Sequence, residues 1–198
     1  MALLASADIL ACPPPPIMPS DSFEMRFTPP RPGSFMYHTH MSDIRQQGAG
    51  LYGPIVVLPK VQEWDPEHDK VFILGAAPNV EGTVVNGRKE LPPMQFEARQ
   101  SYRFRLMNIT LGPSGTFELL RTDGRPYRWT LVAKDGAELP EHLQETVPSQ
   151  QTVRVGEIYD VLITPRRPES LVFSIRSVTF NGTPLNSRQP VEVVAPGG

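Results

Sequence analysis

Proline and glycine punctuation constrains this chain more than any other feature. The 198 residues include 23 prolines and 15 glycines, set between short apolar runs. Long helices do not survive such spacing, whereas short strands joined by turns do. Several runs also alternate with the period of a half-buried strand. Tyr102, Phe104 and Leu106 alternate with Arg103 and Arg105; Leu171, Phe173 and Ile175 alternate with polar neighbours; Val153 and Val155 alternate with Thr152 and Arg154. Ser34 to His40, Ile55 to Leu58, Lys70 to Ala76, Ile158 to Thr164 and Val191 to Val194 add further strands, and Phe23-Glu24-Met25-Arg26-Phe27 carries the same alternation. Asp123-Gly124, between Phe117–Leu120 and Tyr127–Ala133, predicts a hairpin turn. Only Glu138 to Glu145 can hold a helical turn.

The expected fold is therefore all-β, a Greek-key sandwich or barrel. Pro59 to Asp69 divides the strands unequally. Residues 1–22 read as an extended Pro-rich segment, 23–60 as a partial domain, 61–69 as a linker and 70–198 as a complete domain. The partial unit is too short to close a core comfortably. It would leave Phe23, Met25 and Phe27 unburied, at about 1.5–3 kcal/mol each. Its open edges invite pairing, either with the rest of the chain or with a second copy, and a homo-oligomer is the expectation.

Net charge is −2 with both signs scattered, so no basic stripe points to nucleic acid and no lysine cluster to an anionic membrane. No apolar run approaches the roughly 20 residues that span a bilayer. Cys12 is the single cysteine, so no internal disulfide can form. Ile9-Leu10-Ala11-Cys12 has the outline of a lipoprotein cleavage site, but Asp8 interrupts its apolar core and no Lys or Arg precedes it. The expectation is no working signal, and polyproline II geometry at Pro13 to Pro16. The sequons at Asn108 and Asn181 read better as turns.

The chemistry concentrates in Gly33-Ser34-Phe35-Met36-Tyr37-His38-Thr39-His40, followed by Gln46-Gln47 and then Gly50-Leu51-Tyr52-Gly53-Pro54-Ile55-Val56-Val57. Residues two apart on a strand leave the same face, so His38 and His40 can address one metal site. Imidazole suits copper, zinc and nickel alike, and on spacing alone a pair of surface histidines is the blander account.

The whole stretch resembles the second copper motif of bacterial, laccase-like multicopper oxidases, departing from it at Ser34 and Met36, where Thr and an aromatic residue are common. The likeness continues through Lys70-Val71-Phe72-Ile73-Leu74-Gly75, Val85-Asn86-Gly87, Tyr102 to Thr110 and Ala133-Lys134-Asp135-Gly136. It implies the second half of one cupredoxin-like domain followed by a whole second one. It further implies copper as cofactor, with His38 and His40 as ligands of the type 3 pair. The implied lineage function is oxidation of substrates coupled to dioxygen reduction, in the periplasm or outside the cell.

A full copper set in that family spans several His-rich motifs and a type 1 cysteine. This chain has four histidines, His38, His40, His68 and His142, and Cys12 has no histidine neighbour. His68 and His142 read as surface residues. The chain by itself is expected to be inactive as an oxidase. The alternatives are a non-catalytic copper- or zinc-binding module and a purely structural one.

Overall fold

The computed structural model describes residues 17–18, 20–40, 42–178 and 184–197. Expectations about Cys12, Pro13 to Pro16 and the Asn181 turn lie outside these residues.

Among the described residues, fourteen strands and little helix follow from the punctuation. The chain opens with β1 (Gly33–His38), a short helix α1 (Asp43–Gly48) and β2 (Tyr52–Val57). Next come β3 (Asp69–Ala77), β4 (Val80–Val85), β5 (Met94–Glu97), β6 (Tyr102–Asn108), β7 (Gly115–Arg121) and β8 (Arg128–Lys134). The series closes with β9 (Ala137–Glu138), β10 (Thr146–Pro148), β11 (Gln150–Val153), β12 (Ile158–Ile163), β13 (Glu169–Val178) and β14 (Pro184–Val194). A 3-10 turn at Glu141–Leu143 falls within the stretch expected to hold one.

Two sheets form a sandwich. One runs β10-β8-β12-β6-β3-β4 with β9 beside β8, and the other runs β11-β7-β13-β14-β5. Pairing is mostly antiparallel, but β3–β6 and β14–β5 are parallel. Between the sheets lie Phe72, Leu74, Phe96, Phe104, Leu106, Phe117, Trp129, Val161, Leu171 and Phe173, all buried. Their alternation along β6 and β13 is the one legible in the sequence.

Three expectations are corrected. Phe23 to Phe27 forms no strand, because alternation alone makes no ladder. No partner strand meets it among the described residues, and Phe23, Met25 and Phe27 stay 60%, 65% and 45% exposed. The Asp123-Gly124 turn forms, with Gly124 N–H donating to the Arg121 carbonyl at 2.9 Å. However, β7 and β8 enter different sheets, and the arms of the turn meet at a bridge between Leu120 of β7 and Pro126, ahead of β8, so the turn is a corner between layers.

The third concerns the outer face of β6, which reads as solvent-facing in the sequence. β1 and β2 pair as a two-stranded antiparallel sheet and cover that face. Met36 packs with Ile73, Met107, Ile109 and Ile158 in a second small core, with Tyr52 and Val71 against it. Beside it, Arg105 is 3% exposed, its Nε 2.6 Å from Asp69 Oδ1 and its Nη1 3.1 Å from Asp160 Oδ2. Ser34 of β1 enters the same cluster. Its Oγ donates to Asp160 Oδ2 at 2.8 Å and accepts from Arg105 Nη1 at 2.6 Å. Arg103 completes it, donating to Asp160 Oδ2 and to Glu138 Oε1, both at 2.6 Å. Burial pushes the Asp160 carboxyl up from its ordinary range, and the two guanidiniums act against that push.

Close backbone approach seats the hairpin. Gly33 lies directly against the Gly136 carbonyl, and Gly136, at φ +74, lies under the Phe35 ring, so neither position has room for a Cβ. Arg31 donates to the Gly136 carbonyl at 2.8 Å. Asn108 ends β6 fully buried, its amide nitrogen donating to the Pro113 and Val153 carbonyls at 3.0 and 2.9 Å, and the turn begins after it, with the Thr110 N–H donating to Asn108 Oδ1 at 2.9 Å.

Candidate metal centre

His38 is the last residue of β1, opposite Tyr52 of β2, and His40 lies just beyond it. Their ring centroids are 4.6 Å apart and tilted by 35°. His38 is half-buried and His40 exposed. Metal–nitrogen bonds of about 2.0–2.1 Å let two imidazoles so placed reach one ion or a close pair of ions. The pair therefore fits part of a copper site.

The Gly-Leu-Tyr-Gly turn explains how that end of the hairpin is held. Tyr37 lies across Gly53, its cross-strand partner, in space that a Cβ would fill. Tyr52 lies in the same way across Gly75 of β3, and its hydroxyl donates to the Ala76 carbonyl at 2.6 Å. Burial pushes that phenol above its ordinary value, which keeps it a donor. The histidine strand is thus tied to the sandwich at both ends, by Ser34 at its start and Tyr52 beside its finish.

The other two histidines are elsewhere engaged. His68 Nδ1 sits 2.7 Å from Asp65 Oδ2, and its ring stacks on Tyr102 with centroids 5.1 Å apart. That hydrogen bond holds the Asp65 carboxyl below its usual range. His142 is exposed on the 3-10 turn. Among the described residues, no group of three His, Cys, Asp or Glu side chains is arranged to hold a metal ion.

The sequence reading missed α1, which closes the loop between His40 and Gly50. The His38 Nδ1 lies 2.8 Å from the Thr39 carbonyl and 2.9 Å from the Gln47 side-chain nitrogen. The Thr39 hydroxyl donates to Gln46 Oε1. The signal was present as the Gln46-Gln47 pair, but nothing in its spacing said that the amides fold back.

A β-sandwich of this kind is cupredoxin-like. Models of the multicopper oxidase family match residues 8–62 and 36–193, the second covering most of the chain. The chain belongs to the multicopper oxidase family, and copper is the cofactor class that membership implies. Laccase-2 of Pleurotus ostreatus is 30% identical over 129 residues, covering 52% of this chain and 24% of that protein. Laccase-5 of Trametes villosa is 30% identical over 196 residues, covering 85% of this chain and 35% of that protein. Among solved structures, the blue copper oxidase from Nitrosomonas europaea shares the fold with a TM-score of 0.62. It is 19% identical, over 84% of this chain and 57% of that one. The chain thus spans about a quarter to a third of these curated relatives.

Proposed function

We propose that this chain is the part of a laccase-like multicopper oxidase that supplies two type 3 copper ligands, His38 and His40. The lineage function is copper-dependent oxidation of substrates coupled to dioxygen reduction. The observation that carries the reading is the imidazole pair, 4.6 Å apart at the end of β1, within a stretch that the family models match. On the same resemblance we take 23–60 as the C-terminal half of one cupredoxin-like domain and 70–198 as a second, working in the periplasm or outside the cell.

The chain alone supplies too few ligands for turnover, so its metal pair has to be completed from elsewhere. A non-catalytic copper- or zinc-binding role for the isolated chain is favoured by the lack of a third ligand beside the pair among the described residues. A second copy is one source, and exposed Phe23, Met25 and Phe27 support a homo-oligomer. Light scattering at micromolar concentration tests this, and a monomer throughout would overturn it.

Metal titration of untagged protein tests the assignment. His38→Ala and His40→Ala should each weaken Cu²⁺ or Zn²⁺ binding by more than the roughly 10–100-fold typical of losing a supporting partner. His68→Ala and His142→Ala should leave it within about twofold, since neither sits with the pair. Equal losses from all four would mean non-specific surface chelation. The copper-loaded chain should show no oxidation of phenols and no intense blue colour, which takes copper–thiolate bonding. Copper-dependent turnover that disappears in His38→Ala would refute this.

A further inference from the structure

α1 stands immediately behind the histidine strand, and its last residues turn two amides back toward it. Gln47 is 5% exposed, so its side chain has little water to turn to. The His38 Nδ1 has two neighbours within hydrogen-bond distance, the Thr39 carbonyl at 2.8 Å and the Gln47 amide at 2.9 Å. One ring nitrogen cannot donate and accept at once.

The carbonyl decides between the two. A carbonyl oxygen only accepts, so Nδ1 must carry the proton and donate to Thr39. The opposite arrangement, with Nδ1 accepting from Gln47, would set two lone pairs against each other at 2.8 Å. A half-turn of the Gln47 amide exchanges its oxygen and nitrogen without changing its shape. With its oxygen toward the ring, Gln47 shares the Nδ1 proton with Thr39. The Nε2 lone pair is then left clear.

We propose that Gln47 is a positioning residue that, with the Thr39 carbonyl, holds His38 as the Nδ1–H tautomer and so leaves Nε2 available to a metal ion. Fixing the tautomer through the far nitrogen is how partners around a metal site set which atom ligates. The proposal rests on the reading of His38 as a ligand. Gln46 braces the neighbouring residue, since its Oε1 takes the Thr39 hydroxyl, and this steadies the peptide whose carbonyl faces His38.

Long-range ¹H–¹⁵N correlation spectra of the metal-free chain read each histidine's tautomer directly. The expected result is Nδ1–H at His38 in the unaltered chain, a growing Nε2–H population in Gln47→Ala, and retained Nδ1–H in Gln47→Glu, whose carboxylate can only accept. Zn²⁺ titration should follow the same order, about 10–100-fold weaker for Gln47→Ala and as tight or tighter for Gln47→Glu. Should Gln47→Ala fail to fold, Gln47→Glu decides alone, because an amide that donates to Nδ1 would make this variant lose Nδ1 contact and zinc affinity. Nε2–H at His38 in the unaltered chain, or equal losses in both variants, would overturn the proposal. Loss of zinc binding in His38→Ala with no effect of Gln47→Ala on tautomer or affinity would sink the role of Gln47 and leave the ligand reading standing. The expected tautomer shifts with zinc binding indifferent to His38→Ala would sink the ligand reading instead.

Discussion

Arg105→Ala should lower the stability of the chain by about 3–5 kcal/mol in chemical denaturation. Arg105 is 3% exposed, and its guanidinium spans Asp69, Ser34 and Asp160. Its removal leaves Asp69 without either guanidinium nitrogen, on a carboxylate itself 8% exposed. Asp160 keeps Arg103 and Ser34. The loss is thus mainly that of an uncompensated buried charge rather than of the pair's net attraction. For that reason, Arg105→Met combined with Asp69→Leu should recover most of the stability, as two apolar side chains leave no orphaned charge there. Hydrogen exchange should show β1 and β2 amides released first in Arg105→Ala, ahead of the sandwich. A loss below about 1 kcal/mol would mean that water reaches the cluster, as at an exposed pair.

Phe173→Ala should cost a similar amount, about 3–5 kcal/mol, by a different route. The Phe173 ring is fully buried and lies 4.5 Å from Phe72, 5.1 Å from Phe104 and 6.3 Å from Phe117, centroid to centroid. These neighbours come from both sheets, so truncation opens a void at the centre of the sandwich, where neither layer can collapse without moving the other. Here β1 and β2 amides should open together with those of β6 and β13, in one global transition. Earlier opening of the hairpin in this variant would show that Phe173 supports its docking, contrary to its place between the sheets.

The two substitutions mark what the sequence could and could not show. Phe173 stood out because alternation along β13 has one meaning: one face is inside. Arg105 did not, because a charged residue between Phe104 and Leu106 reads as solvent-facing until something covers it. The cover, β1 and β2, lies far away in the chain, and no local pattern announces it. Asp160 within the apolar run Ile158 to Ile163 was the available clue, since a carboxylate there needs a partner. The His38–His40 pair was legible for the opposite reason, since a spacing of two residues at a strand's end is a local signal. α1, at six residues, was too short to show a helical period, so the amides behind His38 became visible only in three dimensions. Phe23 to Phe27 is the reverse case, a strand-like pattern that finds no partner strand among the described residues.

The Ser34–Asp160 hydrogen bond also has a bearing on synthesis. Its two ends are 126 residues apart, so Ser34 of the histidine strand lacks its carboxylate partner until β12 has been made, although Ala76 and Arg105 are in place earlier. At about 5–20 residues per second, translation would leave β1 waiting roughly 6–25 s for that partner. The loop that must then close is long, and its closure entropy is met only once β3, β6 and β12 stand side by side. The histidine pair would therefore take its place late in folding, and metal arriving during synthesis would meet imidazoles not yet held in register.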